Sequence, residues 1–161
     1  MEKEKIFAET VKVEQIKFVS RNIDWNLVED ELRDYIGKSY EIKQTGETIH
    51  IERDFVDEFS HSMDGQKLVG ANKKAKANMV TVIDKLIENA TNRTEYPDYE
   101  GKHGKKASNG WHRYDVRFAL PVYSNEGMIV GFKNYISRMA VRCDEKGDMY
   151  LYDFLRTKKE K

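Results

Sequence analysis

Alternation of apolar and polar side chains over Trp111–Tyr123 constrains the fold of this chain more than any other feature. From His112 to Leu120 the even-numbered positions are mostly apolar, and the odd-numbered positions are mostly charged. This period of two is typical of a β-strand with one buried face. Two further runs of strand character follow, Tyr135–Cys143 and Met149–Leu155, with a turn between them. The sequence therefore predicts an antiparallel meander of three strands.

The segment that precedes these strands has the period of an amphipathic helix. Within Ala71–Ala90 the apolar residues recur at helical spacing, on one face: Ala75, Met79, Val82, Ile83, Leu86, Ile87 and Ala90. A helix followed by an antiparallel meander is typical of an α+β domain. We therefore predict one long helix packed on an antiparallel sheet, with Val116, Phe118 and Met139 in the shared core.

The N-terminal half carries weaker signals. Residues 1–22 are interpreted as a strand or tail, and residues 23–161 as a single α+β domain that begins with helices. Asp24 is a typical N-cap, and Gly37 a typical end, of the first helix. Two short runs around the turn at residues 44–46 predict a small hairpin, and Asp54 begins a second, short helix.

Residues 89–110 show no apolar periodicity and contain Pro97. A loop of this length within a compact domain is usually functional or disordered. We predict that Glu100–Gly110, which is basic and contains three glycines, is among the most mobile segments. An anionic ligand would order it as a lid.

Composition excludes several classes of protein. The chain has 161 residues, of which 39% are hydrophobic, and no apolar run approaches the ~20 residues that cross a bilayer. Met1–Thr10 lacks the apolar core of a signal peptide, so we expect a cytoplasmic protein with no membrane partner. The single cysteine, Cys143, excludes an internal disulfide, and no metal-ligand spacing is present. We expect no metal and no cofactor.

Charge is divided unevenly along the chain. Residues 1–100 hold 15 Lys/Arg against 21 Asp/Glu, whereas residues 101–161 hold 13 against 7. This division is typical of an acidic lobe that faces a basic site or partner, and a chance distribution over a solvated surface is the alternative. The partners we consider are RNA or another anionic ligand, and a host or phage protein. The sequence leaves the oligomeric state open.

Several stretches resemble a known group of domains. They are "ANKKAKANMVTVIDKLIENA", a polar loop, "GWHRYDVRFALPVY", "YISRMAVRCDEKGDMYLYDFL" and a lysine-rich end. Over roughly Ile49–Lys161 the chain resembles domains of the large polyvalent proteins of phages and conjugative elements. These domains are similar to the barnase–EndoU–colicin–RelE superfamily of small metal-independent RNases and their inactive relatives.

The resemblance implies a helix-plus-sheet fold, a phage or mobile-element origin, and two functions. The first is a toxin-type, metal-independent RNase-like domain that acts on RNA. The second is a catalytically inactive module of the same fold that binds a host or phage protein. In the enzyme, a histidine and at least two arginines should line one concave surface. In the binding module they should be scattered, beside an exposed apolar or acidic patch.

RNA cleavage of this type requires a base, an acid and cations that stabilise the phosphorane. We predict catalytic roles for His61, His112, Arg117 and Arg142, and substrate binding by Arg138, Lys105, Lys106 and Tyr152. Arg117, Arg138 and Arg142 share one strand parity, which predicts a single anion site. The structural alternatives are a helix-terminal His61, a hydrogen-bonded strand His112, arginines paired with Asp115 or Asp153, and aromatic pairing of Tyr152.

Overall fold

The computed structural model describes residues 8–98 and 104–160, and in this part of the chain seven strands form one sheet. The strands are β1 Thr10–Lys12, β2 Ser39–Glu41, β3 Thr48–His50, β4 Thr91–Tyr96, β5 Trp111–Tyr123, β6 Ile129–Cys143 and β7 Met149–Lys159. Their order is β1-β5-β6-β7-β3-β2, and β4 also pairs with β5. The predicted antiparallel meander β5–β6–β7 is confirmed, but β1 and β3 add to it in parallel.

Helices cover one face of this curled sheet. They are α1 Trp25–Arg33, α2 Arg53–His61, α3 Met63–Gln66, α4 Gly70–Asn78 and α5 Ile83–Glu88, with 3₁₀ turns at Met79–Val82 and Gly104–Ala107. The predicted core is confirmed, since these residues are all buried: Val116, Phe118, Met139, Val141, Ile83, Leu86 and Ile87. Phe55 and Phe59 of α2 pack edge-to-face on Phe154 of β7, at centroid distances of 6.0 and 6.3 Å. The fold is therefore a mixed α/β domain.

The prediction of one long helix over Ala71–Ala90 is wrong. A 3₁₀ turn separates α4 from α5, and Val82 leaves the helical region with φ −129° and ψ 23°. The turn contains Val80, Thr81 and Val82, whose β-branched side chains disfavour a continuous helix. The apolar spacing continues through the break because both segments pack on the same core. Periodicity alone therefore does not reveal the break.

Strand β4 lies in a segment predicted to be a loop. Three of its six residues are exposed and one is buried, and its strand partner within the described residues is β5. An edge strand of this kind has no buried face, so it carries no apolar alternation. Residues 104–107 form a single 3₁₀ turn. Residues 100–103 of the predicted lid lie outside the described residues, and the mobility of the lid stays a prediction.

The hairpin between β2 and β3 reaches across to β4 and brings the two ends of the curled sheet together. The side chain of Gln44 accepts a hydrogen bond from the backbone N–H of Asn92 at 3.0 Å. The side chain of Glu47 accepts one from Arg93, also at 3.0 Å. The predicted small hairpin is thus confirmed, and its turn contributes a carboxylate to the far side of the core.

The β5–β6 hairpin extends beyond the rest of the sheet. Pairing with β1 ends at Ala119, and pairing with β7 ends at Tyr135. The protruding part carries five apolar side chains that are 40–68% exposed: Tyr123, Met128, Ile129, Val130 and Phe132. We call this part the hairpin arm. None of the helices in the described part of the chain has the length and apolarity needed to cross a bilayer.

Candidate functional site

Five ionisable side chains meet where the β2–β3 turn approaches β4 and β5. We call Glu47, Arg93, Glu95, His112 and Tyr114 the Glu47–His112 cluster. Glu47 accepts hydrogen bonds from the Tyr114 hydroxyl at 2.8 Å and from Arg93 Nη1 at 3.0 Å. His112 Nδ1 lies 3.5 Å from Glu47 Oε2 and 3.3 Å from the Tyr114 hydroxyl. His112 Nε2 lies 3.8 Å from Glu95 Oε1.

Strand register explains this convergence. His112 and Tyr114 are on the inward parity of β5, and Glu95 of β4 is the direct partner of His112. Side chains of directly opposed residues share one face of a sheet. Glu47 comes from the turn, where its backbone N–H donates to Thr45 Oγ1 at 3.2 Å. Three distant parts of the sequence therefore build the cluster.

The environment of the cluster shifts several pKa values. Burial lowers the pKa of His112, and Arg93 acts in the same direction, while Glu47 and Glu95 oppose the shift. The imidazole is therefore neutral at pH 7. Burial alone would raise the pKa of Glu47, but hydrogen bonds from Thr45, Tyr114 and Arg93 outweigh it and lower the pKa. Glu47 is thus a carboxylate beside a neutral imidazole.

Two neighbouring acids stay protonated. Burial, together with the Glu47 carboxylate, raises the pKa of the Tyr114 hydroxyl well above its usual value. Burial also raises the pKa of the Cys143 thiol to about 11, with Glu47 and Glu95 adding to the shift. At neutral pH, Tyr114 is therefore a fixed donor to Glu47, and Cys143 is not a thiolate nucleophile.

The cluster is open to solvent on the side of β4. The side chains of His112 and Glu47 are 14% and 12% exposed, whereas those of Arg93 and Glu95 are 38% and 66% exposed. The imidazole is thus accessible to a molecule in solution from the side of the edge strand β4. This arrangement can support proton abstraction by the neutral imidazole of His112. The Glu47 carboxylate can stabilise the resulting imidazolium, and the Arg93 guanidinium can stabilise a developing anion.

His61, the other histidine with a predicted catalytic role, lies elsewhere. It ends α2, its side chain is 59% exposed, and its Nε2 is 2.6 Å from Glu29 Oε1 of α1. This placement agrees with the alternative of a histidine at a helix C-terminus. The structure does not bring His61 into the Glu47–His112 cluster.

The structure does not bring the three predicted arginines into one site. Arg142 is 3% exposed and donates to Asp54 at 2.8 Å, and its guanidinium lies 4.2 Å from the Tyr150 ring centroid. Glu52 lies 3.4 Å away on its other side. The predicted pairing of Arg142 with Asp115 or Asp153 is therefore wrong. The reason is that α2 packs over this end of the sheet and supplies Asp54 as the partner.

Arg117 and Arg138 do line a common cavity on the opposite face of the sheet from His112. We call it the outer-face cavity; its volume is about 360 Å³. Arg117 pairs with Glu160 at 2.7 Å, and Arg138 lies 3.3 Å from Asp115. Arg138 also donates to Thr94 Oγ1 at 3.0 Å. Both predicted arginines therefore have carboxylate partners within the cavity wall.

The remaining predicted binding residues lie along other parts of the fold. Lys105 and Lys106 are in the exposed 3₁₀ turn, and the Lys106 carbonyl accepts a hydrogen bond from Arg142 at 3.2 Å. Tyr152 packs edge-to-face on Trp111 at 4.9 Å, as the aromatic-pair alternative expects. Their roles in binding RNA stay predictions.

Sequence reasoning missed four members of the cluster. Glu47 lies in a turn, and no local pattern marks it as functional. Arg93 and Glu95 lie on β4, where the alternation in "TNRTEY" is polar on both faces. Recognising β4 as a strand would have paired Glu95 with His112.

Comparisons with known proteins identify the family. No curated protein matches the chain. No solved structure matches it either. The model of large polyvalent protein-associated domain 3 matches residues 25–150, from α1 into β7. This range includes all five members of the Glu47–His112 cluster and most of the sheet. The chain belongs to the large polyvalent protein-associated domain 3 family.

Proposed function

We propose that this domain is a metal-independent endoribonuclease of the toxin type, of phage or mobile-element origin, and that it cleaves RNA at the Glu47–His112 cluster. One observation carries the proposal: a neutral, partly buried imidazole held between two carboxylates and beside a guanidinium. Several shifted pKa values in one small region are typical of catalytic sites. The resemblance to the barnase–EndoU–colicin–RelE superfamily supports the choice of RNA.

The proposed reaction is transesterification within the RNA strand. His112 removes the proton of a 2′-hydroxyl, the 2′-oxygen attacks the adjacent phosphorus, and the bond to the 5′-oxygen breaks. Water protonates the leaving 5′-oxygen, and the products are a 2′,3′-cyclic phosphate and a free 5′-hydroxyl. Glu47 stabilises the imidazolium that forms, and Arg93 neutralises charge on the phosphorane.

The test is incubation of the purified chain with total RNA in the presence of a chelator. We expect cleavage by the wild type, with cyclic phosphate ends. His112→Ala should lower the rate by at least about 100-fold, the usual contribution of a general base. His50→Ala is the matched control, because His50 is also a strand histidine but pairs with Ser39 outside the cluster. An inactive wild type, or equal activity of the two variants, would refute the proposal.

Two observations favour a second candidate function, a catalytically inactive module that binds a host or phage protein. Arg117, Arg138 and Arg142 do not share a surface with His112, which is the arrangement expected above for the binding module. The second observation is the hairpin arm. Five exposed apolar side chains on a protruding two-stranded hairpin form the kind of patch that marks protein interfaces. Within residues 8–98 and 104–160, neither edge of the arm pairs with a strand beyond β1 and β7, so an extended segment of a partner can add as a strand.

A peptide-display selection tests this second function. Peptides are selected on the wild type, and their affinities are then compared with those for Val130→Lys. Loss of at least about tenfold in affinity supports docking on the arm. Equal affinity for both proteins, or RNA cleavage that depends on His112, argues against the binding module.

A further inference from the structure

We propose that the outer-face cavity binds a small phosphate monoester, at a site separate from the Glu47–His112 cluster. Its walls come from β4, β5, β6 and the C-terminal end of β7, on the parity of β5 opposite to His112. The volume of about 360 Å³ lies within the range of small-molecule sites in proteins. The proposal does not depend on RNA cleavage.

Charge in the cavity favours an anion. The ionic side chains that line it are four cations and two carboxylates: Arg117, Arg138, Arg156, Lys158, Asp115 and Glu160. The carboxylates lie beside Arg117 and Arg138. Within the described residues, no ion pair or hydrogen bond occupies the side chain of Arg156 or of Lys158. Two like charges therefore remain uncompensated around one space, and an anion relieves their repulsion.

A buried donor adds to this excess of positive charge. The Nε atom of Arg138 is shielded from solvent and makes no hydrogen bond within the described residues. Asp115 Oδ1 lies only 3.3 Å away, but the alignment of the N–H with this oxygen does not meet hydrogen-bond geometry. Arg138 lines the cavity, so its guanidinium brings an unsatisfied N–H to the wall beside the space that a phosphate would occupy.

Backbone conformation gives an independent sign of a built site. Asn92 and Arg156 are the non-glycine residues with positive φ in the described part of the chain, at 58° and 55°, and both line this cavity. Side chains disfavour this conformation, arginine more than asparagine. Two side chains hold it in place: Asp64 accepts from the Arg156 N–H at 3.1 Å, and Gln44 accepts from the Asn92 N–H at 3.0 Å.

The cavity walls combine cationic, carboxylate and apolar side chains. This combination indicates that the ligand is a phosphate ester of a molecule with hydroxyl groups. Guanidinium groups bind phosphate oxygens in pairs of hydrogen bonds. Asp115 and Glu160 repel a bare anion but accept hydrogen bonds from sugar hydroxyls, and Val116 and Ile136 add apolar surface. A pentose phosphate combines these groups, so we expect it to bind more tightly than inorganic phosphate.

Isothermal titration calorimetry of the full chain tests the site with two probes, ribose 5-phosphate and inorganic phosphate. Ribose 5-phosphate should bind, and Arg156→Ala and Lys158→Ala should each weaken it by about tenfold, as expected for a lost charged hydrogen bond. Tighter binding of the sugar phosphate supports the ester. Equal binding of both probes would refute the preference for a phosphate ester and would indicate a site for phosphate alone.

Arg113→Ala is the matched control. Arg113 lies on β5, on the same face of the sheet as Arg117. Its guanidinium stacks on Tyr96 at 4.6 Å, and it is not part of the cavity wall. It should change the affinity by less than about twofold, because its guanidinium stacks on Tyr96 outside the cavity wall and solvent ions screen its charge. His112→Ala should bind ribose 5-phosphate as the wild type does. Failure of both probes to bind at millimolar concentration, or an equal loss in Arg113→Ala, overturns the proposal.

Discussion

The Lys76–Asp153 pair and the Glu47–His112 cluster both join charged groups from distant parts of the chain, but only the cluster is accessible to solvent. Lys76 Nζ donates to Asp153 Oδ1 at 3.0 Å, and both side chains are fully buried. The cluster reaches solvent through Arg93 and Glu95 on the edge strand. In a pair that is sealed, meaning fully buried away from solvent, each charged group is stabilised only by its partner, so removing one group leaves an uncompensated charge in the core. An open cluster can exchange protons and meet a substrate.

Lys76→Met should have the largest effect on stability. The change leaves Asp153 without its counter-charge inside the core, and breaking a buried pair in this way costs about 3–5 kcal/mol. Denaturant unfolding measures the loss. Lys73→Met is the control, because Lys73 lies on the same helix but is partly exposed. A similar, small loss in both variants would show that the pair is not sealed.

The pH dependence of this loss sharpens the comparison. Burial raises the pKa of Asp153 from 3.8 to about 6, although Lys76 opposes the shift. The folded state then binds the Asp153 proton more tightly than the unfolded state, so this group makes stability fall as pH rises from about 4 to 6. In Lys76→Met the pKa of Asp153 rises further, so the fall in the free energy of unfolding extends to higher pH.

The difference in unfolding free energy between wild type and Lys76→Met should therefore be larger at pH 7.5 than at pH 4.5. Unfolding at both pH values, with the same denaturant, measures it. A difference independent of pH would mean that Asp153 does not carry the buried charge.

Glu47→Gln should have a smaller effect, about 1 kcal/mol, because the amide oxygen can still accept a hydrogen bond from Tyr114. The melting temperature measures this change. Cleavage of RNA should fall much more than stability, since the imidazolium of His112 loses its charged neighbour. A loss of stability as large as that of Lys76→Met would mean that the cluster is a structural pair like the sealed one.

His61→Ala should have the smallest effect, below about 0.5 kcal/mol. The His61 side chain is 59% exposed, and ion pairs with a solvent-exposed partner contribute little to stability. RNA cleavage should also be unchanged. Loss of cleavage in this variant, with the melting temperature intact, would move the catalytic site from the sheet to the α1–α2 surface.

The sequence predicts those parts of the fold that are encoded in short segments of the chain. The meander and its core follow from alternation, and Asp24 does accept the hydrogen bond of an N-cap, from Asn26. The break between α4 and α5 is not predictable from periodicity, because Met79 and Ile83 are buried on both sides of it. The polar strand β4 has no buried face to reveal it.

The candidate site was predictable only in part. His112 is identified by its residue type and strand, but its partner Glu47 is 65 positions away, in a turn. Strand parity correctly places Arg117 and Arg138 on one face. Parity does not show that α2 covers the end of the sheet where Arg142 lies. Which charges become buried depends on the packing of distant elements, as the buried Lys76 in a basic run also shows.

The position of Glu47 in the β2–β3 turn has a consequence for when the Glu47–His112 cluster assembles during synthesis. Glu47 leaves the ribosome before its partners on β5, which follow more than sixty residues later. At about 5–20 residues per second, the carboxylate waits several seconds for the strand that completes the site. A growing chain therefore holds no assembled Glu47–His112 cluster until most of the domain has emerged. The RNA cleavage proposed above therefore cannot begin before β5 has joined the sheet.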